Sequence, residues 1–172
     1  EDTFRSASSF NQDLDSWNTG QVTTFYRMFN HAPKFNQALA SWDVRKAQEM
    51  RYMFSNANAL SDCNKVAIHA RFDAHQPSRW TSWGSFSSAV AACDVSSIRN
   101  MQRLFEGAAT FNVDIDGWNM GQVTNTYAMF SGASRFNQPL DSWNVGQVTQ
   151  FGDMFRSASS FNQPLNSWST GK

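Results

Sequence analysis

Charge is scarce in this 172-residue chain: 16% of its residues are charged, and its 14 basic side chains are balanced by 14 acidic ones. Without a basic excess, neither nucleic acid nor an anionic membrane is expected as the main partner. Cysteine occurs twice, which excludes a disulfide-dense small scaffold. No apolar run approaches the roughly 18–20 residues of a membrane span, so direct membrane insertion is not expected. No charged start runs into an apolar stretch either, so no targeting segment is expected in the chain. Gly-rich phosphate loops, Ser/His/Asp or Cys/His sets and paired buried acids cannot be assembled from its motifs, so the reading is no enzyme and no cofactor. What the chain has is aromatic bulk. With 15 Phe, 7 Trp and 41% hydrophobic residues it holds ample core material, which excludes disorder.

Those aromatics are periodic. Phe10-Asn11-Gln12-Asp13-Leu14-Asp15-Ser16-Trp17 returns 25 residues later as Phe35 to Trp42. Further copies run from Phe111 to Trp118, Phe136 to Trp143 and Phe161 to Trp168. Phe86 and Cys93 open a degenerate copy, and Leu60 opens another, which gives about seven turns. A unit of this length cannot bury so many large side chains alone, so stacked neighbours must share one core.

The second half of each repeat has columns of its own. Val22, Phe25, Met28, Phe29 and Ala32 align with Ala47, Met50, Met53, Phe54 and Ala57, then with Ile98, Met101, Leu104, Phe105 and Ala108. Steps of 3, 3, 1 and 3 predict one face of a short helix or helical turn. In the first half, Pro139 and Pro164 precede the Leu-x-Ser-Trp segment, where a short parallel strand is expected to begin. Asn11, Asn36, Asn137 and Asn162 are expected to stack as an amide ladder. Asn18, Asp43, Asp94, Asn119 and Asn144 suit the turn after the strand.

These fixed offsets of Phe, Asn-Gln, Leu, Ser-Trp, Val, Met-Phe and Ala resemble a bacterial-surface-protein repeat of 25 or 26 residues. That repeat occurs in Mycoplasma and Listeria surface lipoproteins and marine protist proteins, and is related to BspA-type leucine-rich repeats. The resemblance implies an α/β repeat fold: a right-handed leucine-rich-repeat-like solenoid with one short parallel strand and one short helix or helical turn per repeat. It also implies a non-enzymatic role in adhesion or protein interaction at an extracellular or cell-surface location. On this reading residues 1–172 form a single solenoid of about seven turns. Its open ends are expected to be covered by neighbouring domains or subunits, the chain being part of something larger.

One turn departs from the pattern, between residues 60 and 85. Leu60 to Phe72 reads as a true helix with Ser61 or Asp62 as N-cap, followed by a loop, Asp73 to Ser85, that carries Trp80 and Trp83. Cys63 and Cys93 are either disulfide partners or two buried free thiols, and both alternatives stand. Cys63, His69 and His75 fit no zinc spacing, so no metal is expected there. Asp13 with Asp15 and Asp114 with Asp116 suggest calcium, but Ala38, Ala40 and Pro139 break the ladder and favour solvated surface. His31 reads as solitary and solvated.

Candidate partner contacts are the outward Tyr and Arg side chains, which offer area and directional bonding. On the regular repeats these are Tyr26, Arg27, Arg51, Tyr52, Arg103 and Tyr127; on the irregular turn they are Arg71, His75, Arg79 and Trp83. The expected partner is a protein or a glycan. A structural or linker subunit within a large assembly is the alternative, and ice binding is not expected because Gln48 and Arg99 interrupt the Thr23, Thr124 and Thr149 column.

Overall fold

In a computed structural model, the structure describes residues 1–73, 83 and 85–170. The chain divides into two compact units, Glu1–Thr81 and Ser82–Lys172.

In unit 1 the columns Phe25, Met28, Phe29 and Ala32 are buried, as their spacing predicts, but no helix carries them. Arg27 and His31 have φ of 54° and 57°, and Tyr52 and Asn56 in the next repeat have 59° and 62°. A positive φ at every fourth residue is incompatible with a right-handed helix. The segment is instead a run of overlapping turns with a period of four. Its backbone hydrogen bonds alternate. Met28, Asn30 and Ala32 donate their N–H groups three residues back, to Phe25, Arg27 and Phe29 carbonyls, at 3.0–3.1 Å. The intervening Phe25, Arg27, Phe29 and His31 donate to the next repeat, to Glu49, Arg51, Met53 and Ser55 carbonyls, at 2.8–3.2 Å. A helix would satisfy all these groups within itself; here half of the donors tie one repeat to its neighbour. Each non-glycine residue in the left-handed region costs on the order of 1 kcal/mol, so this backbone is stable only when stacked.

Side chains follow the same register. Phe4, Phe29 and Phe54 form one file with ring centroids 5.5 and 5.6 Å apart, and Trp17 lies parallel to Trp42 at 6.3 Å. Trp42 donates its Nε1–H to the Leu14 carbonyl at 2.9 Å, so the indole is buried with its polar atom satisfied. The amide ladder is present: Asn11 Oδ1 accepts from the Asn36 N–H at 2.8 Å and from Gln37 Nε2 at 2.9 Å. Asn36 Oδ1 in turn accepts from the Ser61 N–H at 2.8 Å. There the repeat gives way to helix α1, Asp62–Asp73. Ser61 caps it, its Oγ accepting from the Asn64 N–H at 3.2 Å, and Val66, Ile68 and Phe72 are buried.

Unit 2 has the same wiring. A short 3₁₀ helix, Ser88–Ala92, leads into the Cys93 repeat. Beyond it Met101, Arg103, Phe105 and Gly107 donate to Asn125, Tyr127, Met129 and Ser131, and Thr126, Ala128, Phe130 and Gly132 donate to Gln150, Gly152, Met154 and Arg156. Gly107 and Gly132 occupy the left-handed position with φ of 70° and 74°, and an added Cβ at either would meet no atom closer than 3.5 Å. Backbone conformation, not space, favours glycine there. Phe105, Phe130 and Phe155 are spaced by 5.4 and 5.5 Å, Phe111, Phe136 and Phe161 by 5.6 and 5.8 Å. Parallel pairing occurs at Thr24 with Glu49 in unit 1 and at Asn100, Asn125 and Gln150 in unit 2, ahead of the turns and away from the expected Leu-x-Ser-Trp position. The Leu-x-Ser-Trp segment has no strand among the described residues; its tryptophans bond across repeats through Nε1, Trp143 to Ile115 at 3.0 Å and Trp168 to Leu140 at 2.8 Å.

Candidate interaction surface

The turn geometry that buries Phe25 and Met28 turns the residues between them outward. In unit 1 this brings together four of the expected contact residues. Tyr26 and Tyr52 meet edge to face, with ring centroids 6.1 Å apart. The Arg27 guanidinium lies 4.7 Å from the Tyr26 ring centre and 5.9 Å from that of Tyr52. Tyr52 is 56% exposed, one of two large hydrophobic residues so exposed in the described chain, the other being Trp17. Arg51 is held by Glu49: Nη2 lies 2.6 Å from Oε2, and the Glu49 Oε1 also accepts from the Arg51 N–H at 2.8 Å. These bonds, the side-chain one first, hold the Glu49 carboxyl well below its ordinary range, at about 2.

In unit 2 the corresponding positions are bound up within the fold. Arg103 lies 5.8 Å from the Tyr127 ring centre but also 3.7 Å from Glu106. The Tyr127 hydroxyl donates to Asp153 Oδ2 at 3.1 Å. Its ring lies over Gly152, where an added Cβ would come within 3.2 Å of it. Arg71 also faces inward in use, its Nε donating to the Trp42 carbonyl at 3.0 Å. Trp83 is half-buried. His75 and Arg79 lie outside the described residues, as does Trp80.

Neither Cys63 nor Cys93 carries a free thiol; both are disulfide-bonded. His31 is not solitary: with its proton on Nδ1 it donates to Asn30 Oδ1 at 2.6 Å, and Nε2 accepts from Asn56 Nδ2 at 3.0 Å. The acids read as solvated surface do backbone work. Asp13 and Asp114 accept from the N–H groups of Asp15 and Asp116 at 2.8 and 3.0 Å, and Asp15 and Asp116 accept from the Ser41 and Ser142 N–H groups at 3.0 and 2.9 Å. Among the described residues no group of three or more His, Cys, Asp or Glu could hold a metal ion, and no helix is long and apolar enough to cross a membrane. An apolar cleft of about 180 Å³ in unit 1, lined by Trp17, Val22, Phe25, Met28 and Trp42, falls below the roughly 300–1,000 Å³ usual for ligand pockets.

The residues that sequence reasoning missed are the acids that engage these side chains: Glu49 on Arg51, Glu106 on Arg103 and Asp153 on the Tyr127 hydroxyl. Glu49 had a signal. It stands two residues before Arg51, at the position where Thr24, Asn100 and Asn125 likewise accept from the N–H two residues on.

No curated protein and no solved structure gave a match to the chain. The family described as Mycoplasma protein of unknown function, DUF285, matches it twice, over residues 1–77 and 78–172, a division that falls close to the boundary between the two compact units. Matched along its whole length, with the same 25-residue wiring in each unit, this repeat protein belongs to the DUF285 family.

Proposed function

We propose that this chain is a non-enzymatic repeat module, a right-handed leucine-rich-repeat-like solenoid, that binds partner molecules at a cell surface. The single observation that carries the reading is the cluster of exposed Arg51 and Tyr52 with half-buried Tyr26 and Arg27. Its counterpart in unit 2 pairs Arg103 with Glu106 and Tyr127 with Asp153, whereas here Glu49 holds Arg51 and the Arg27 guanidinium lies between the Tyr26 and Tyr52 rings without a carboxylate partner among the described residues. Rigid Tyr and Arg contacts favour recognition because little side-chain entropy is lost when they are engaged. Two disulfide-bonded cysteines support an oxidising, extracellular setting, and membership of a family described as a Mycoplasma protein of unknown function is consistent with surface repeats.

The test is capture: chain 1–172, immobilised, is presented to surface-exposed and to cytosolic proteins of the source cell. Retention of a surface protein, weakened when Tyr52 is replaced by Ala, is expected. Retention from the cytosolic fraction alone would overturn the surface assignment, and binding indifferent to Tyr52 would overturn the assignment of the contact face.

A further inference from the structure

We propose that the Arg27 guanidinium of unit 1 is an anchor for a carboxylate on an acidic peptide segment of the partner, with the Tyr26 and Tyr52 rings as its walls. The inference rests on the reading of this face as an interaction surface and adds the chemistry of what it takes.

Three observations point there. Arg27 has no carboxylate partner among the described residues, although it is only partly exposed and lies against two aromatic faces. A guanidinium positioned over aromatic rings is orientated before binding, and it keeps its forked donors free for a planar anion. Of the acids beside it, Glu49 is engaged through both oxygens by Arg51, at 2.8 Å from Nε to Oε2 and 3.0 Å from Nε to Oε1, and Asp2, in the same column one repeat back, lies 3.9 Å from Arg5 Nε. Glu49 therefore fixes Arg51, and neither it nor Asp2 forms an ion pair with Arg27. Finally, the phenol hydroxyls of Tyr26 and Tyr52 make no hydrogen bond within the described residues, whereas that of Tyr127 donates to Asp153. Two donors and a cation side by side, with no acceptor of their own, are complementary to a carboxylate and would repel a basic segment.

The face also lies on rigid backbone. Arg27 N–H donates to the Arg51 carbonyl at 3.2 Å, and Arg27 and Tyr52 both hold the left-handed conformation, so the backbone that carries the two side chains is tied across the repeat boundary.

The experiment uses chain 1–172 and a fluorescent Glu-rich peptide read by anisotropy, with the Gln-rich counterpart and a sulfated oligosaccharide as competitors. Arg27→Gln is expected to weaken peptide binding about tenfold, with Arg27→Lys intermediate because charge is kept and the fork is lost. Arg103→Gln, at the matching position of unit 2, is expected to leave binding unchanged. Circular dichroism melts confirm that each variant is folded, and Arg27→Lys keeps the test readable if Arg27→Gln is not. The proposal is overturned by an Arg27→Gln variant that binds as tightly as the parent, by equal weakening from Arg103→Gln, or by preference for the sulfated oligosaccharide. If a surface protein is still captured while Arg27→Gln changes nothing, this inference fails and the interaction reading stands; capture of no partner sinks the interaction reading itself.

Discussion

Replacing Phe130 by alanine removes the middle ring of a three-ring file, and the cost can be worked from its surroundings. Phe130 is fully buried, with ring centroids of Phe105, Phe136 and Phe155 at 5.4, 4.2 and 5.5 Å and Trp143 at 6.2 Å. A buried Phe→Ala change costs roughly 3–5 kcal/mol through lost transfer energy and the cavity left behind, and close packing on several sides limits collapse, so about 4 kcal/mol is expected. Phe155 holds the same column but is half-buried, with ring partners Phe130, Phe161 and Trp168. Its truncation is expected to cost about half as much, roughly 2 kcal/mol, because less surface returns to water. Equilibrium urea unfolding followed by tryptophan fluorescence reads both. Equal losses at the two positions, or a loss below about 1 kcal/mol at Phe130, would refute the shared-file packing.

Turn and helix readings of the second half-repeat differ in sign at two residues. Gly132→Ala is expected to destabilise by about 1 kcal/mol and Ser157→Gly to stabilise by roughly 0.5–1 kcal/mol, since both sit at positive φ; helical positions would reverse both signs in thermal melts. The Glu49 carboxyl, lowered in the fold, contributes stability that is present above its ordinary value of 4.5 and is lost as pH falls towards about 2. An NMR titration of the Glu49 carboxyl should give that low midpoint, Arg51→Gln should return it towards 4.5, and an unshifted midpoint in the parent would remove the Glu49–Arg51 pair. Alkylation under denaturing, non-reducing conditions should modify neither Cys63 nor Cys93, and both after reduction; labelling before reduction would contradict the bonded state.

The repeat length and the inward columns were legible in the sequence because burial needs only the right side chains at the right offsets. Phe25, Met28, Phe29 and Ala32 fit a period of 3.6 and a period of four almost equally over one short segment. The positive φ of Arg27 and His31 decides between them, and neither residue type announces it; only Gly107 and Gly132, in the His31 column, give a hint. The Asn11–Asn36 ladder was readable because an amide is useful to a stacked neighbour wherever it recurs. The Asp15 bond to Ser41 was not, since an exposed carboxylate has the same pattern whether it meets water or a backbone N–H. At the interaction surface the Tyr and Arg residues could be named from their outward columns; Glu49 and Glu106 pair with Arg51 and Arg103 within one repeat, whereas Asp153 accepts from Tyr127 across repeats, which single-repeat patterning hides.

The central claim is that half of the backbone donors in the turn segments 25–32, 101–108 and 126–133 reach the following repeat. Long-range HNCO spectra, which detect scalar coupling through hydrogen bonds, test it directly. Coupling is predicted from the Phe105 amide to the Met129 carbonyl and from the Phe130 amide to the Met154 carbonyl, where the N···O distances are both 2.9 Å. Coupling from these amides to the carbonyls four residues back, Met101 and Thr126, would contradict it.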